Sequence, residues 1–169
     1  MTRPLWLGAV LVLWTPIATL AHDYESAGIK VAHPWARATP GGAKVGAAYG
    51  EISAKNGASD VLIAATSPAA DRVEIHTHSM DGGVMKMRKI DELPIAGGKT
   101  VLLKPSGDHI MLFDLKKPLK EGERLPITLV FEKAGEIKIE ATIESVGAKG
   151  PHGLDHQPGN EGPSSHHQH

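Results

Sequence analysis

From about residue 28 onward, apolar and polar positions alternate with a period of two in short runs, each bounded by Gly, Pro, Asp or Asn. The clearest run is 136–146. There Ile137, Ile139, Ala141 and Ile143 alternate with Glu136, Lys138, Glu140, Thr142 and Glu144, which predicts one buried and one wet face. Its partner is 124–131, with Leu125, Ile127, Leu129 and Phe131 on one side, and Lys133-Ala134-Gly135 closes a hairpin between the two. Further runs lie at 29–32, 45–52, 61–66, 73–77, 84–89, 100–103 and 109–115. No segment carries a sustained 3.6-residue period. Eight or nine short strands in roughly 120 residues predict an all-β fold, an antiparallel sandwich or Greek-key barrel that buries one core without staples.

Both ends fall outside this pattern. Arg3 precedes an apolar stretch at 4–15, Pro16 ends it, and the small residues Thr19 and Ala21 stand where a signal peptidase reads. Residues 1–21 therefore read as a secretory signal cleaved after Ala21, with the mature chain periplasmic and holding no membrane span. Residues 22–146 form the β-domain. Residues 147–169 contain five Gly, three Pro and five His, with Leu154 their one large aliphatic, so nothing there offsets the entropy of ordering it. This segment reads as a disordered His-rich tail.

Composition narrows the chemistry. The chain has no cysteine, which excludes disulfide scaffolds, thiol catalysis and Fe–S centres. A net charge of -1 leaves no basic excess to follow a phosphate backbone, so no nucleic-acid partner is expected. No Gly-x-Ser-x-Gly elbow supports a hydrolase. Imidazole and thioether remain. Apart from Met1, every methionine lies between residues 80 and 111, interleaved with His76, His78 and His109.

Strand phase groups these side chains. Glu74, His76 and His78 face one way while Val73, Ile75 and Thr77 face the other. Asp81-Gly82 is a strong hairpin signal; with that turn, His76 sits opposite Met87 and His78 opposite Met85. A turn at Gly82-Gly83 would instead set His78 against Met87, and His76 would lose its place. His109 and Met111, two apart, share a face of another strand. The expected site is His76, Met87, His109 and Met111, with His109 and Met111 at a solvent-near rim, and His78 and Met85 are a reserve pair. Thioethers are soft, uncharged ligands that select Cu(I) over Zn²⁺, Mg²⁺ or Ca²⁺, and they do not oxidise to disulfides.

The spacing His-x10-Met-x21-His-x-Met, met by those four residues, resembles the motif of periplasmic copper chaperones with the PCuAC domain. Pro34-Trp35-Ala36-Arg37, Thr39-Pro40-Gly41-Gly42, the run from Gly83 to Arg88, and His109-Ile110-Met111-Leu112 agree with it. The resemblance covers about residues 29–146. It implies a cupredoxin-like β-barrel that holds Cu(I) and passes it to the CuA site of cytochrome c oxidase, alongside Sco-type proteins. Thr77 stands where some members have Met after the first His, and some relatives carry a metal-binding tail like residues 147–169.

In that tail, His152, His156, His166, His167 and His169 offer imidazole, which suits Cu(II), Ni(II) and Zn(II) alike and releases metal on protonation near pH ~6.5. A general divalent-metal scavenger is therefore one alternative function. Another is a copper oxidoreductase using His22, which cleavage after Ala21 would make N-terminal. His33, at a predicted strand end, reads as structural or exposed. The leading expectation is a copper carrier, not an enzyme, with Cu(I) in the barrel and Cu(II) on the tail.

Overall fold

Strands form where the two-residue period predicts them, and in two further places. The computed structural model describes residues 23–55 and 57–151; the signal-like leader, His22 and the tail histidines lie outside them. Among the described residues the elements are β1 (Tyr24–Ser26), β2 (Ile29–Arg37), β3 (Val45–Ala54), β4 (Asp60–Thr66), β5 (Ala70–Asp81), β6 (Val84–Ile90), β7 (Leu93–Ile95), β8 (Thr100–Leu103), β9 (His109–Leu115), β10 (Arg124–Phe131) and β11 (Gly135–Glu144). Among them no helix is long and apolar enough to cross a membrane. The short strands β1 and β7 escape a period-two reading, because three residues contain barely one alternation. Positive φ at Ala27 (47°) and Gly28 (82°) makes the tight β1–β2 turn.

The strands form one sheet in the order β6-β5-β9-β3-β2-β11-β10-β4-β7, with β1 added to β2 and β8 to β3. All pairs are antiparallel except β11 with β2. The ladder stays open between β6 and β7, yet it curves around a single core. Ile29, Ile52, Leu62, Ile95, Ile110, Leu112, Leu125, Leu129 and Phe131 meet in one buried cluster. Each such side chain contributes about 1.5–3 kcal/mol by leaving water. The alternation expected of β10 and β11 is present, and the wet face of β11 ends before Glu144, which is buried.

One hairpin differs from expectation in its register. The β5–β6 turn is Gly82-Gly83, so Asp81 pairs with Val84, Met80 with Met85, His78 with Met87 and His76 with Lys89. Both turn residues have positive φ (58° and 81°), the requirement of a type I′ turn. Gly-Gly meets it without steric cost, whereas an Asp81-Gly82 turn would put an L side chain in that region.

Strand β2 runs further than its sequence suggests, through a bulge at His33-Pro34 where the register against β3 shifts. His33 takes φ 48° there and is half-buried. Gly50 lies against the bulge; a Cβ on it would meet Ala32 O and Pro34 Cα at 3.3 Å. The bend carries Trp35 and Arg37 over Tyr49, with the Trp35–Tyr49 rings 4.5 Å apart.

Asp60 ties the β10–β11 hairpin to β4. Its Oδ1 accepts from the backbone N–H groups of Val61 (2.8 Å) and Lys133 (2.9 Å), and its Oδ2 from that of Ala134 (2.8 Å). Burial alone would raise the carboxyl pKa, but the three N–H donors outweigh it and hold it below the ordinary value. Asp60→Asn leaves an amide N–H₂ facing a backbone donor, and should cost about 1.5–3 kcal/mol at pH 7. A depressed pKa stabilises the fold above the unfolded value of about 4, and this is lost as pH falls through the folded value. Urea midpoints of wild type and variant should therefore differ at pH 7 and converge in acid; equal midpoints at pH 7 would refute the tie.

Candidate metal centre

The face of the β6-β5-β9 sheet opposite the core gathers the chemistry. Strand phase sets Glu74, His76, His78 and Met80 of β5 on it, with Met85, Met87 and Lys89 of β6 across one rung each. On the other side of β5, His109 pairs with His76 and Met111 with Glu74. All four methionines outside Met1 thus share one face with three histidines. Strand β6 contributes no buried side chain, and only Ile90 packs partly against the core.

A cavity of about 290 Å³ opens on this face, lined by Arg37, Ala47, Tyr49, His78, Met87, Pro105, Ser106, His109 and Met111. Of the four expected ligands, Met87, His109 and Met111 line it. His76 lies beside them, its ring 6.0 Å from that of His109 and 5.8 Å from Phe113. The solvent-near rim expected for His109 and Met111 is not found: both are buried, and of the four expected ligands Met87 alone is exposed. They sit on β9, an inner strand flanked by β5 and β3, which shields them from the edge. The reserve pair is divided: His78 faces Met87, and Met85 faces Met80 at the hairpin tip.

Hydrogen bonds fix the tautomers. His109 Nδ1 lies 2.8 Å from Gly107 O and must donate to it, which leaves Nε2 a bare lone pair. Burial chiefly lowers the His109 pKa, and the neighbouring His78 and His76 add to this against the pull of the Gly107 carbonyl, so the ring favours its neutral, ligating form. The carbonyl comes from a tight loop in which Lys104 N donates to Asp108 O (2.7 Å) and Gly107 N to Lys104 O (3.1 Å). His78 Nδ1 donates to the same carbonyl at 3.2 Å, and the His78 and His109 rings stack at 5.2 Å.

His76 is prepared by a different partner. Its Nε2 lies 2.7 Å from Glu74 Oε2, and Arg72 bonds the other carboxylate oxygen while covering the Phe113 ring at 4.0 Å. The His76 bond, and then Arg72, hold the Glu74 carboxyl below its ordinary value against its own desolvation. An ionised Glu74 accepts, so Nε2 carries the proton in the neutral ring. Nδ1 is then a bare lone pair, buried and without a partner. A carboxylate–imidazole pair with the far nitrogen free is a common support for a metal-binding histidine. Among the described residues, no three His, Asp or Glu side chains are grouped to hold a metal ion by themselves. Thioether sulfur must complete any site on this face.

Sequence reasoning passed over Arg37, Tyr49, Pro105 and Ser106 as parts of this cavity. Their one sequence signal was the Pro34-Trp35-Ala36-Arg37 stretch. Arg37 also donates from Nε to Ala148 O (2.7 Å), drawing the residues after β11 to the cavity mouth.

Fold and face together define an all-β, cupredoxin-like domain with a His/Met cavity on its outer side. The chain belongs to the LpqE-like family, whose profile matches residues 29–143, and its fold is that of the PCuAC domain. Among curated relatives, "Putative lipoprotein Lxx21020" of Leifsonia xyli is 32% identical over 130 residues, covering 76% of this chain and 77% of that protein. Among solved structures, the copper-bound PCuAC domain from PmoF2 is 31% identical with a TM-score of 0.64, covering 73% of this chain and 98% of that one. The Cu(I) form of DR1885 from Deinococcus radiodurans is 28% identical with a TM-score of 0.57, covering 75% and 83%.

Proposed function

We propose that this protein is a copper carrier of the periplasm that holds one Cu(I) per chain between His76, Met87, His109 and Met111. The observation that carries the reading is the donor set on one sheet face. Two imidazoles have a nitrogen freed by a fixed hydrogen bond, Nδ1 of His76 and Nε2 of His109, and two thioethers stand beside them. That set suits Cu(I) and is poor for Zn(II). The copper-bound PCuAC domain of PmoF2 supports copper as the cargo, and the Cu(I) form of DR1885 supports its oxidation state. The leader at 1–21 and the lipoprotein name of the Leifsonia relative support export.

The donor set supports a carrier rather than an enzyme, since soft neutral ligands hold Cu(I) without demanding a redox step. The acceptors we propose are the CuA subunit of cytochrome c oxidase and Sco-type proteins. The tail histidines, His152, His156, His166, His167 and His169, would collect Cu(II). Anaerobic titration of the full chain with Cu(I), beside Cu(II) and Zn(II), tests the reading. One tight Cu(I) equivalent that excess Zn(II) fails to displace is expected, followed by its transfer to an apo CuA domain. Displacement by Zn(II) would instead favour the general divalent-metal scavenger.

A further inference from the structure

The hairpin that brings Met87 to the cavity carries more sulfur than the inner site uses. Met80 and Met85 face each other one rung beyond His78 and Met87, on the same side of the sheet. Core packing does not account for them: Met80 is 66% and Met85 56% exposed, on the outer part of the hairpin, beyond Ile75 and Ile90, where no residue joins the buried cluster. Exposure drops inward from the tip, to 48% at Met87 and then to 3% at His109 and 9% at Met111. Thioethers thus run from open solvent to the buried ligands, and His78 stands between, its Nδ1 donated to Gly107 O and its Nε2 free.

We infer that His78, Met80 and Met85 form an outer Cu(I) station, which loads and unloads the inner site with Met87 as the shared ligand. This rests on the copper-carrier reading and extends it to the route the ion takes. Neighbouring rungs on one face are about 7 Å apart, within reach of two flexible thioether side chains turning toward a common ion. The ion moves by exchange of one neutral ligand for another: a thioether or imidazole of the outer set leaves as Met87 and then His109 or Met111 bind. Copper stays Cu(I) throughout, and no proton or electron is transferred. Exposed at the tip, the outer set is also where an acceptor's ligands reach the ion first.

The test uses the full chain with ¹³C-methyl methionine, titrated anaerobically with Cu(I). The Met87 and Met111 methyl signals should shift with the first equivalent, and those of Met80 and Met85 with the second. In the Met80→Leu, Met85→Leu double variant, the second equivalent at this face should be lost. A water-soluble bidentate Cu(I) chelator should then extract the first about tenfold more slowly, since such effects fall mainly on dissociation rates. Both positions are exposed, so the variant should keep the wild-type fold and circular dichroism. Met80 and Met85 signals unmoved through two equivalents, or extraction as fast as wild type, would overturn the outer station alone. Silent Met87 and Met111 signals at the first equivalent would overturn the inner site, and the route with it.

Discussion

Replacing Met87 and Met111 together by leucine should abolish tight Cu(I) binding while leaving the β-domain folded. Leucine keeps the volume and apolar character of methionine, and such exchanges usually cost less than about 1.5 kcal/mol even in a core. Met87 is exposed, so its exchange should cost little, and Met111 should account for most of any loss. The effect on copper is of another order. Removing a supporting contact around a metal ligand typically costs ~10–100-fold in affinity, and removing two direct sulfur ligands should exceed that. The remaining His76 and His109 form a two-imidazole set with no preference for Cu(I) over divalent ions. Competition with a Cu(I) chelator reads the first effect, and loss of discrimination against Zn(II) reads the second. Wild-type Cu(I) affinity in this variant would remove both methionines from the site.

The legible part of this fold is the part written in period two. Residues 124–131 declared β10 because Leu125, Ile127, Leu129 and Phe131 all point inward, and 136–146 declared β11 by the same rule. Strand β9 was legible at both ends, and with it the shared face of His109 and Met111. Pairing across the β5–β6 hairpin was not. Asp81-Gly82 and Gly82-Gly83 are both good turn signals, and only backbone φ at the two central residues decides between them. That one-residue choice moves Met87 from His76 to His78. His76 keeps its place near His109 for another reason, the β5–β9 register, which joins residues 33 apart and leaves no local signal.

The supports of the site were illegible for a similar reason. Glu74 read as a polar residue on a wet face, yet it fixes the His76 tautomer. Gly107 lies in a loop that carried no sequence signal, yet its carbonyl orients two histidines. Such roles depend on which loop meets which strand, and no spacing rule encodes that.

Ending the chain after Pro151 should separate two copper sites by oxidation state. This cut removes His152, His156, His166, His167 and His169 and leaves every strand in place. It is better placed than a cut at Val146, because Arg37 donates to Ala148 O at the mouth of the metal cavity. The tail offers imidazole, carboxylate and backbone, a set that suits Cu(II), whereas the β-domain offers two thioethers, which suit Cu(I). The shortened protein should therefore keep its tight inner Cu(I) and its thermal midpoint while losing most of its Cu(II) uptake. Acid supplies a second readout. Protonation of imidazole, which competes with metal near pH ~6.5, releases Cu(II), so full-length uptake should drop over that interval. In the shortened chain the drop should shrink with the binding itself. A tail tethered to the β-domain keeps its captured ion at high local concentration, so one-electron reduction by an external donor would favour transfer within one molecule. Unchanged Cu(II) uptake after the cut would sink the division of labour, and so would a Cu(I) site that vanishes with the tail.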